Sequence, residues 1–598
     1  MCRIAGILGF SNKDTIKQRV SLMTNAMHRG GPDDEGFYMD KLLPVAYGHR
    51  RLSLIDLSSL GHQPMQDDKE EIVITYNGEI YNYIEIRNEL IALGYHFKSH
   101  SDTEVIIYAY KQWGVNSFNK LNGMFAFSLL DKINKKALLV RDYAGIKPLY
   151  YSYKNGELIF ASEIRAFKTL EKTWSENTEW KKYFLLFGFL PEPITTLQNV
   201  QPLAKGSYLE FNLNTNEYST KEYFNLSYNY IITNEDEAIE KVRAVLTKAV
   251  QRHLISDAPI GLFLSGGIDS SLLTLLAKPT VGDNLKTLSI VFEDAKFSEK
   301  KYQDIIIEKT GAHHHSFLIN QPTFFDYLPD ILEAMDQPSC DGINSYFITK
   351  YAKEYGLTAV LSGLGADEIF GGYQSFYRTK QINLLKKLPN IILALANIHP
   401  DDRIKRISFL NKKSVAGDYL LNRGFYTVSQ VANMLDCSVA EVRYVYENSL
   451  LLFPDYVNKL DEQEKVSYYE RNCYMQNQLL KDTDYMSMWH SVEVRVPFLD
   501  KELLELVYSI RPSIRYNAQC KKHLLIKAFK NILPEEIWNR KKQGFTFPFE
   551  SWMKHFEPIN KKAAQQHKLL LNNKLHWSKY WCYMLSDNSF KQQFLSKQ

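Results

Sequence analysis

Two adjacent glycines in the segment Ser265-Gly266-Gly267-Ile268-Asp269-Ser270-Ser271 constrain this chain more than any other feature. The segment follows an apolar run, 259–264, and opens a run of helical character, 270–277, so it reads as a strand, a tight turn and a helix N-terminus. Such a turn leaves backbone N–H groups unpaired, the helix dipole adds positive potential, and glycine lets a polyphosphate approach the main chain closely. Asp269 then offers a hard oxygen to Mg²⁺. The turn lacks the lysine of the G-x-x-x-x-G-K-[ST] phosphate loop and is therefore not that motif. The bland alternative is a Gly-Gly turn that merely joins strand to helix; the Asp-Ser-Ser that follows weighs against it.

At 598 residues the chain is too long for one core, and at roughly 100–200 residues per domain it divides into two or three. Its 72 basic and 68 acidic residues leave a net charge of +4, which gives no reason to expect nucleic acid or an anionic membrane as a partner. Cys2, Cys340, Cys437, Cys473, Cys520 and Cys582 are scattered, without a C-x-x-C pair or zinc-spaced histidines, so reduced thiols and a cytoplasmic setting are expected. No leader-like start is present, and no apolar run approaches the roughly 20 residues that cross a bilayer. His313-His314-His315 falls where a strand should follow a helix, and alternation of side chains explains it without a metal. Monomer and homodimer are both compatible with this composition.

Cys2 directly follows the initiator Met, and removal of that Met would place a thiol and a free α-amine on one residue, a nucleophile carrying its own base. Downstream, Arg51-Leu52-Ser53, Asn77-Gly78-Glu79-Ile80-Tyr81-Asn82 and Ser101-Asp102-Thr103-Glu104 sit at the ends of apolar segments, where strand-end loops would present them to one pocket. With Cys2-Arg3-Ile4-Ala5-Gly6 and His28-Arg29-Gly30-Gly31-Pro32-Asp33, they resemble the glutamine-hydrolysing domain of the N-terminal-nucleophile amidotransferases over residues 2–205. The resemblance implies that Asn77 and the Gly78 N–H receive the tetrahedral oxyanion formed on glutamine. Arg51 suits the substrate carboxylate bidentately, and Asp102, helped by Glu79, suits its ammonium. That family usually reads His-Arg-Gly-Pro-Asp, so the extra glycine in Gly30-Gly31 is expected to lengthen a loop closing over glutamine. Residues 72–76, 125–130 and 137–141, and an Asn155-Gly156 hairpin between 150–153 and 158–161, read as β. An α+β, N-terminal-nucleophile hydrolase-like αββα sandwich is the expected fold.

After an expected linker, 206–233, the pattern from residue 234 changes to alternating strand and helix: a helix over 235–255, strands over 285–292 and 357–361, and a helix from Ser298 to Thr310-Gly311. This order implies an α/β domain with a doubly wound parallel sheet that takes ligands at its strand carboxyl ends. A second glycine turn lies at one such end, Ser362-Gly363-Leu364-Gly365-Ala366-Asp367-Glu368, and Asp367 is placed to join Asp269 on Mg²⁺. The first turn looks like the pyrophosphate loop of enzymes that adenylate a substrate. With Val492-Glu493-Val494-Arg495-Val496-Pro497-Phe498-Leu499-Asp500 and Lys521-Lys522-His523-Leu524-Leu525, the series resembles the glutamine-hydrolysing asparagine synthetase family across nearly the whole chain. The resemblance implies an adenine nucleotide alpha hydrolase-like domain that binds ATP through Leu264, Ser265, Gly266, Gly267, Asp269, Ser270, Ser271, Phe292, Ser362, Gly363 and Lys522. Lys522 would offset charge on the acyl-adenylate and pyrophosphate. Residues 383–477 carry the least signal and are expected to be helical insertions.

Members of that family usually carry an acid where this chain has Leu364, and leucine can neither hold nor deprotonate ammonia. The preceding run, Asp336-Gln337-Pro338-Ser339-Cys340-Asp341-Gly342-Ile343-Asn344-Ser345, resembles a subgroup found with bacterial surface-polysaccharide genes. Two acceptors therefore stay open, aspartate and another small carboxylate such as a uronic acid sugar. Both imply one mechanism, in which ammonia freed from glutamine at Cys2 passes between domains to an ATP-activated acyl-adenylate. A sensor without turnover would show degenerate catalytic positions, yet Cys2, Asn77, Asp269, Asp367 and Lys522 are all present.

Overall fold

Strand periodicity is plainest in the first third, where Ile4 and Leu8 turn to one side of Arg3–Leu8 while Ala5 and Ile7 turn to the other, all fully buried. The computed structural model describes residues 2–10, 12–170, 174–294, 298–517, 519–540 and 547–595. Among them, the N-terminal part forms two antiparallel sheets. The first runs Gln201–Pro202, Tyr150–Lys154, Glu157–Ala161, Arg3–Leu8, Val45–Arg51 and Asp34–Met39. The second runs Glu217–Glu222, Ser207–Asn212, Lys136–Arg141, Gly123–Asp131, Ile72–Ile80 and Met65–Gln66. Ile4, Val73, Leu139, Phe160 and Phe211 meet between the sheets. Helix Ile16–Asn25 covers the first sheet through Val20 and Met23, and helix Asp102–Trp113 covers the second through Val105 and Ile106. The layers are the expected αββα sandwich.

The expected linker, 206–233, contains two strands of the second sheet, with Ser207–Asn212 pairing antiparallel to Lys136–Arg141. The outer strand, Glu217–Glu222, is exposed along its whole length and carries no apolar alternation, so nothing in its own residues signals it. Gly30-Gly31 also differs from expectation. A Cβ on Gly30 would lie 2.7 Å from Arg3 Cγ, and one on Gly31 would collide with the Arg50 backbone. Arg29 stacks on Trp489 at 4.0 Å, and Ser491 Oγ donates to the Arg29 carbonyl at 2.5 Å. The pair is a packed corner against the second domain rather than a loop over glutamine.

The second domain is built on a five-stranded parallel sheet in the order His313–Leu318, Lys286–Val291, Ile260–Phe263, Ala359–Leu361, Glu493–Arg495. Leu262 and Leu361 pack on one face against Val242, Leu272, Leu273 and Ile306, while Leu288, Val360 and Val494 pack on the other against Ala352. Each fully buried leucine there contributes about 1.5–3 kcal/mol. The order reverses between Ile260–Phe263 and Ala359–Leu361, and both glycine turns leave the carboxyl ends of these two neighbouring strands. The histidine run is a strand as expected, His314 being held by the hydroxyls of Thr287 at 2.9 Å and Ser289 at 3.0 Å. Residues 383–477 are largely helical and end in a π-helix, Glu470–Leu479. No helix among the described residues is long and apolar enough to cross a membrane.

The domains are joined by buried charge. Arg3, beside Cys2, is fully buried between Glu163 at 2.5 Å and Asp484 at 2.8 Å, and Asp484 also receives Lys147 Nζ at 3.0 Å. Burial alone would raise the Asp484 carboxyl, but Arg3 and then Lys147 hold it below its usual value. Asp484→Ala leaves two buried cations without their shared carboxylate and should cost about 3–5 kcal/mol, read as a lower denaturant midpoint. Because Asp484 is depressed in the fold, its contribution is present at neutral pH and fades as pH falls through its folded value. An unchanged midpoint in the variant at pH 7 would refute this weld.

Candidate active site

Cys2 opens the strand Arg3–Leu8 and is 7% exposed. Its N–H donates to Asn77 Oδ1 at 3.2 Å, which turns the Asn77 amide so that Nδ2 is buried with no hydrogen-bond partner among the described residues. A buried donor without an acceptor costs about 1–3 kcal/mol unless something accepts it, and an oxyanion formed beside Cys2 would. Gly78 follows at φ +156°, where a Cβ would strike the Met124 carbonyl, so only glycine fits. Burial raises the Cys2 thiol, while the Leu52 backbone and Arg51 pull it back. The thiol thus needs a base, as a neutral nucleophile does.

Arg51 lies close enough to act on Cys2, yet its guanidinium is anchored on carbonyls of the following loop, Ser58 at 3.1 Å and Asp56 at 2.5 Å. Asp102 accepts from Tyr76 Oη at 2.7 Å and the Ile80 N–H at 3.0 Å, and burial pushes its carboxyl up to about 6. Glu79 faces the second domain, 3.4 Å from Arg495, and burial with Glu493 beside it raises its carboxyl well above the usual range. Asn77 thus accepts from Cys2, while Arg51 and Glu79 lie near enough to act on the Cys2 thiol, and Asp102 acts on Glu79, which also faces Arg495. Tyr81 stacks on His253 at 3.6 Å in the same seam.

A cavity of about 1280 Å³ opens where the parallel sheet reverses. It is lined by Leu264, Ser265, Gly267, Asp269 and Ser270 from the first glycine turn and by Ser362, Gly363, Leu364 and Asp367 from the second. The first turn is held by its own hydroxyls: Ser265 N donates to Ser270 Oγ at 3.2 Å and Gly267 N to Ser265 Oγ at 3.3 Å. Gly266 adopts φ +78°, and a Cβ on Gly363 would come within 2.8 Å of Asp269 Cβ, so glycine allows the two turns to touch. Ser271 is buried beneath the turn, inside helix Ile268–Val281.

Lys522 reaches the cavity from 253 residues away in sequence, its Nζ 2.5 Å from Asp269 and 2.6 Å from Asp367. Burial opposes its charge, but Asp269 and then Asp367 raise the ammonium above its ordinary value. The residue sits at φ +53°, a left-handed conformation rarely adopted outside glycine and one that aims the side chain between the two acids.

Phe292, expected at the nucleotide, instead packs its ring on Phe547 at 4.8 Å and Trp552 at 6.5 Å, because its side chain falls on the apolar side at the strand end. Sequence reasoning missed Arg540, which lines the cavity, donates to the Gly266 carbonyl at 3.0 Å and to Glu299 at 2.6 Å, and stacks on Tyr302 at 3.8 Å. It also missed Asp482, buried at the far end with Asp341, where Ser339 Oγ donates to it at 2.6 Å. Burial and Asp341 raise the Asp482 carboxyl well above its usual value. Acids thus stand in the cavity that Leu364 lines, but from other elements.

The family described as Asparagine synthase matches residues 241–577, and a Glutamine amidotransferase domain matches residues 1–224. The chain belongs to the asparagine synthetase family. Asparagine synthetase [glutamine-hydrolyzing] 1 of Bacillus subtilis is 33% identical over 576 residues, covering 92% of this chain and 88% of the relative. Asparagine synthetase [glutamine-hydrolyzing] 3 of the same organism is 29% identical over 569 residues, covering 91% and 87%. Members of this asparagine synthetase family are ATP-dependent ligases, and the two geometric centres described above fall one in each matched domain. Asn77→Ala should lower glutaminase kcat by about 10²–10³-fold with a smaller change in KM for glutamine. A kcat within twofold of the parent would remove Asn77 from the chemistry.

Proposed function

We propose that this protein makes asparagine from aspartate, with glutamine as nitrogen donor and ATP as activator. With Met1 removed, the Cys2 α-amine takes the thiol proton as sulfur attacks the glutamine amide and returns it to the leaving nitrogen, while the oxyanion is received by Asn77 Nδ2 and the Gly78 N–H. Collapse expels ammonia and leaves a thioester, which water opens to glutamate. Arg51 and Asp102, with Glu79, would hold the carboxylate and ammonium of glutamine. In the second domain the aspartate side-chain carboxylate attacks the α-phosphorus of ATP, pyrophosphate leaves, and ammonia displaces AMP from the aspartyl-adenylate.

The observation that carries this reading is Lys522 held between Asp269 and Asp367 at the meeting of two glycine turns. When triphosphate enters, the lysine can turn to the phosphate oxygens and offset charge as pyrophosphate departs. The two carboxylates so released fit Mg²⁺, which prefers one or two carboxylates together with substrate phosphates and waters. Bound there, the ion would supply charge neutralisation on the phosphates. Leu264, Ser265, Gly266, Gly267, Ser270, Ser362 and Gly363 would cradle the nucleotide. Ammonia reaching the adenylate through the seam of Glu79, Arg495, Tyr81 and His253 would avoid protonation in bulk water. The six cysteines are free, in keeping with a cytoplasmic enzyme.

Purified protein given glutamine, ATP, Mg²⁺ and aspartate should form asparagine and pyrophosphate in equal amounts. Pyrophosphate released with a nucleotide-linked uronic acid and not with aspartate would overturn the acceptor assignment. Cys2→Ala should abolish the glutamine-dependent reaction while ammonium salts still support synthesis; loss of both would argue against two separate centres. Lys522→Met should lower aspartate-dependent pyrophosphate release by about 10²-fold or more and leave glutaminase activity in place. Retention of pyrophosphate release would remove the lysine from the chemistry.

A further inference from the structure

The helical insertion after the second glycine turn turns its apolar side outward. In Thr379–Leu385 and Asn390–Leu395, Leu384 is 67% exposed, Ile391 71%, Ile392 49% and Leu395 56%, and Ile398 just beyond is 80% exposed. Only Leu393 of the second helix is buried, on a small satellite core with Ile382 and Leu410. Soluble surfaces rarely gather so many large aliphatic side chains in one place unless something covers them.

Charge identifies the cover. Residues 378–413 contain nine lysines and arginines against two aspartates, a net +7 within a chain whose total is +4. Asp418 and Glu447, which pair with Lys386 and Lys412, lower the +7 to +5, and the near-neutral total therefore hides a basic excess around this segment. Arg378, Lys380, Lys387 and Lys413 make no ion pair among the described residues, and Arg378, Lys380 and Lys387 stand beside the apolar stretch. Lys380 shares a helix face with Leu384, four residues on, and Lys387 adjoins exposed Leu388. A second copy docked through the same patch would set Arg378, Lys380 and Lys387 against their own copies, which disfavours it. Short helices with an aliphatic face and a rim of Lys and Arg are suited to lie in the headgroup plane of an anionic bilayer.

We propose that residues 379–398 dock this protein on the surface of an anionic phospholipid membrane, the aliphatic side chains entering the acyl boundary and the lysines meeting the headgroups. The segment starts six residues after Tyr373, which lines the nucleotide cavity, so docking would bring that cavity's rim near the lipid.

The test is co-sedimentation of the full chain with vesicles of phosphatidylcholine alone and with added phosphatidylglycerol. The bound fraction should partition about tenfold or more in favour of the anionic vesicles, and raised salt should reverse this. Ile391→Glu combined with Leu395→Glu, and separately Lys380→Glu combined with Lys387→Glu, should each weaken binding about tenfold or more. These positions lie outside the Cys2 pocket, so unchanged glutaminase activity reports that the variants fold. Equal binding to both vesicle types, no binding to either, or binding untouched by the substitutions would overturn the proposal. So would a salt-sensitive dimer, seen by light scattering without lipid, that the same substitutions dissolve.

Discussion

Arg3 is the residue on which the arrangement of both centres depends. It follows Cys2 directly, is fully buried, and pairs its charge with Glu163 of its own domain and Asp484 of the other. A guanidinium in that position without its carboxylates would carry a penalty larger than most single contacts return. The strand that follows Cys2 is consequently ordered together with the helix Leu480–Trp489, whose Asp482 and Thr483 line the cavity at the sheet reversal. One buried ion network thus sets where Cys2 stands relative to the cavity of the parallel-sheet domain.

The two centres use burial in opposite ways. Around Cys2, withdrawal from water raises the thiol, Glu79 and Asp102 together, which suits a site that handles a neutral amide and releases a neutral amine. Around Lys522, two carboxylates outweigh the same withdrawal and keep a cation in place where the proposed reaction would bring phosphate charge. The seam between them is not apolar either. Glu79 meets Arg495, Arg495 Nε donates to Glu493 at 2.5 Å, and its Nη1 donates to the His253 carbonyl at 2.8 Å. Glu79 of the first domain is therefore paired with a strand of the parallel sheet, so a change of charge on either side is felt by the other.

Much of this was legible in the residues themselves. The apolar runs at 72–76 and 125–130, buried on both faces in the fold, and the Asn155-Gly156 turn announced the sandwich, and the alternation of strand and helix from residue 234 announced the parallel sheet. What escaped had no local signature. Glu217–Glu222 is polar throughout and exists as a strand because Ser207–Asn212 offers it an edge. Gly30-Gly31 looks like slack until Arg3 and Arg50 fill the space around it. Phe292 stands at the expected strand end, and its ring packs on Phe547 and Trp552, partners more than 250 residues away.

By itself the sequence determined the properties that act over a few residues: the period of each element, the glycines that allow φ beyond the reach of a Cβ, and the nucleophile next to the initiator. Tertiary structure alone decided which distant charges would share one desolvated space. Arg3 and Asp484 are 481 residues apart and Lys522 and Asp269 are 253 apart, and neither pairing has any local energy until the chain closes around it. Leu364 shows the same division, since Asp341 and Asp482, which line the same cavity, come from other elements that only packing brings there. Sequence spacing carries dihedral preference, whereas electrostatic partnership arises only where folding removes water.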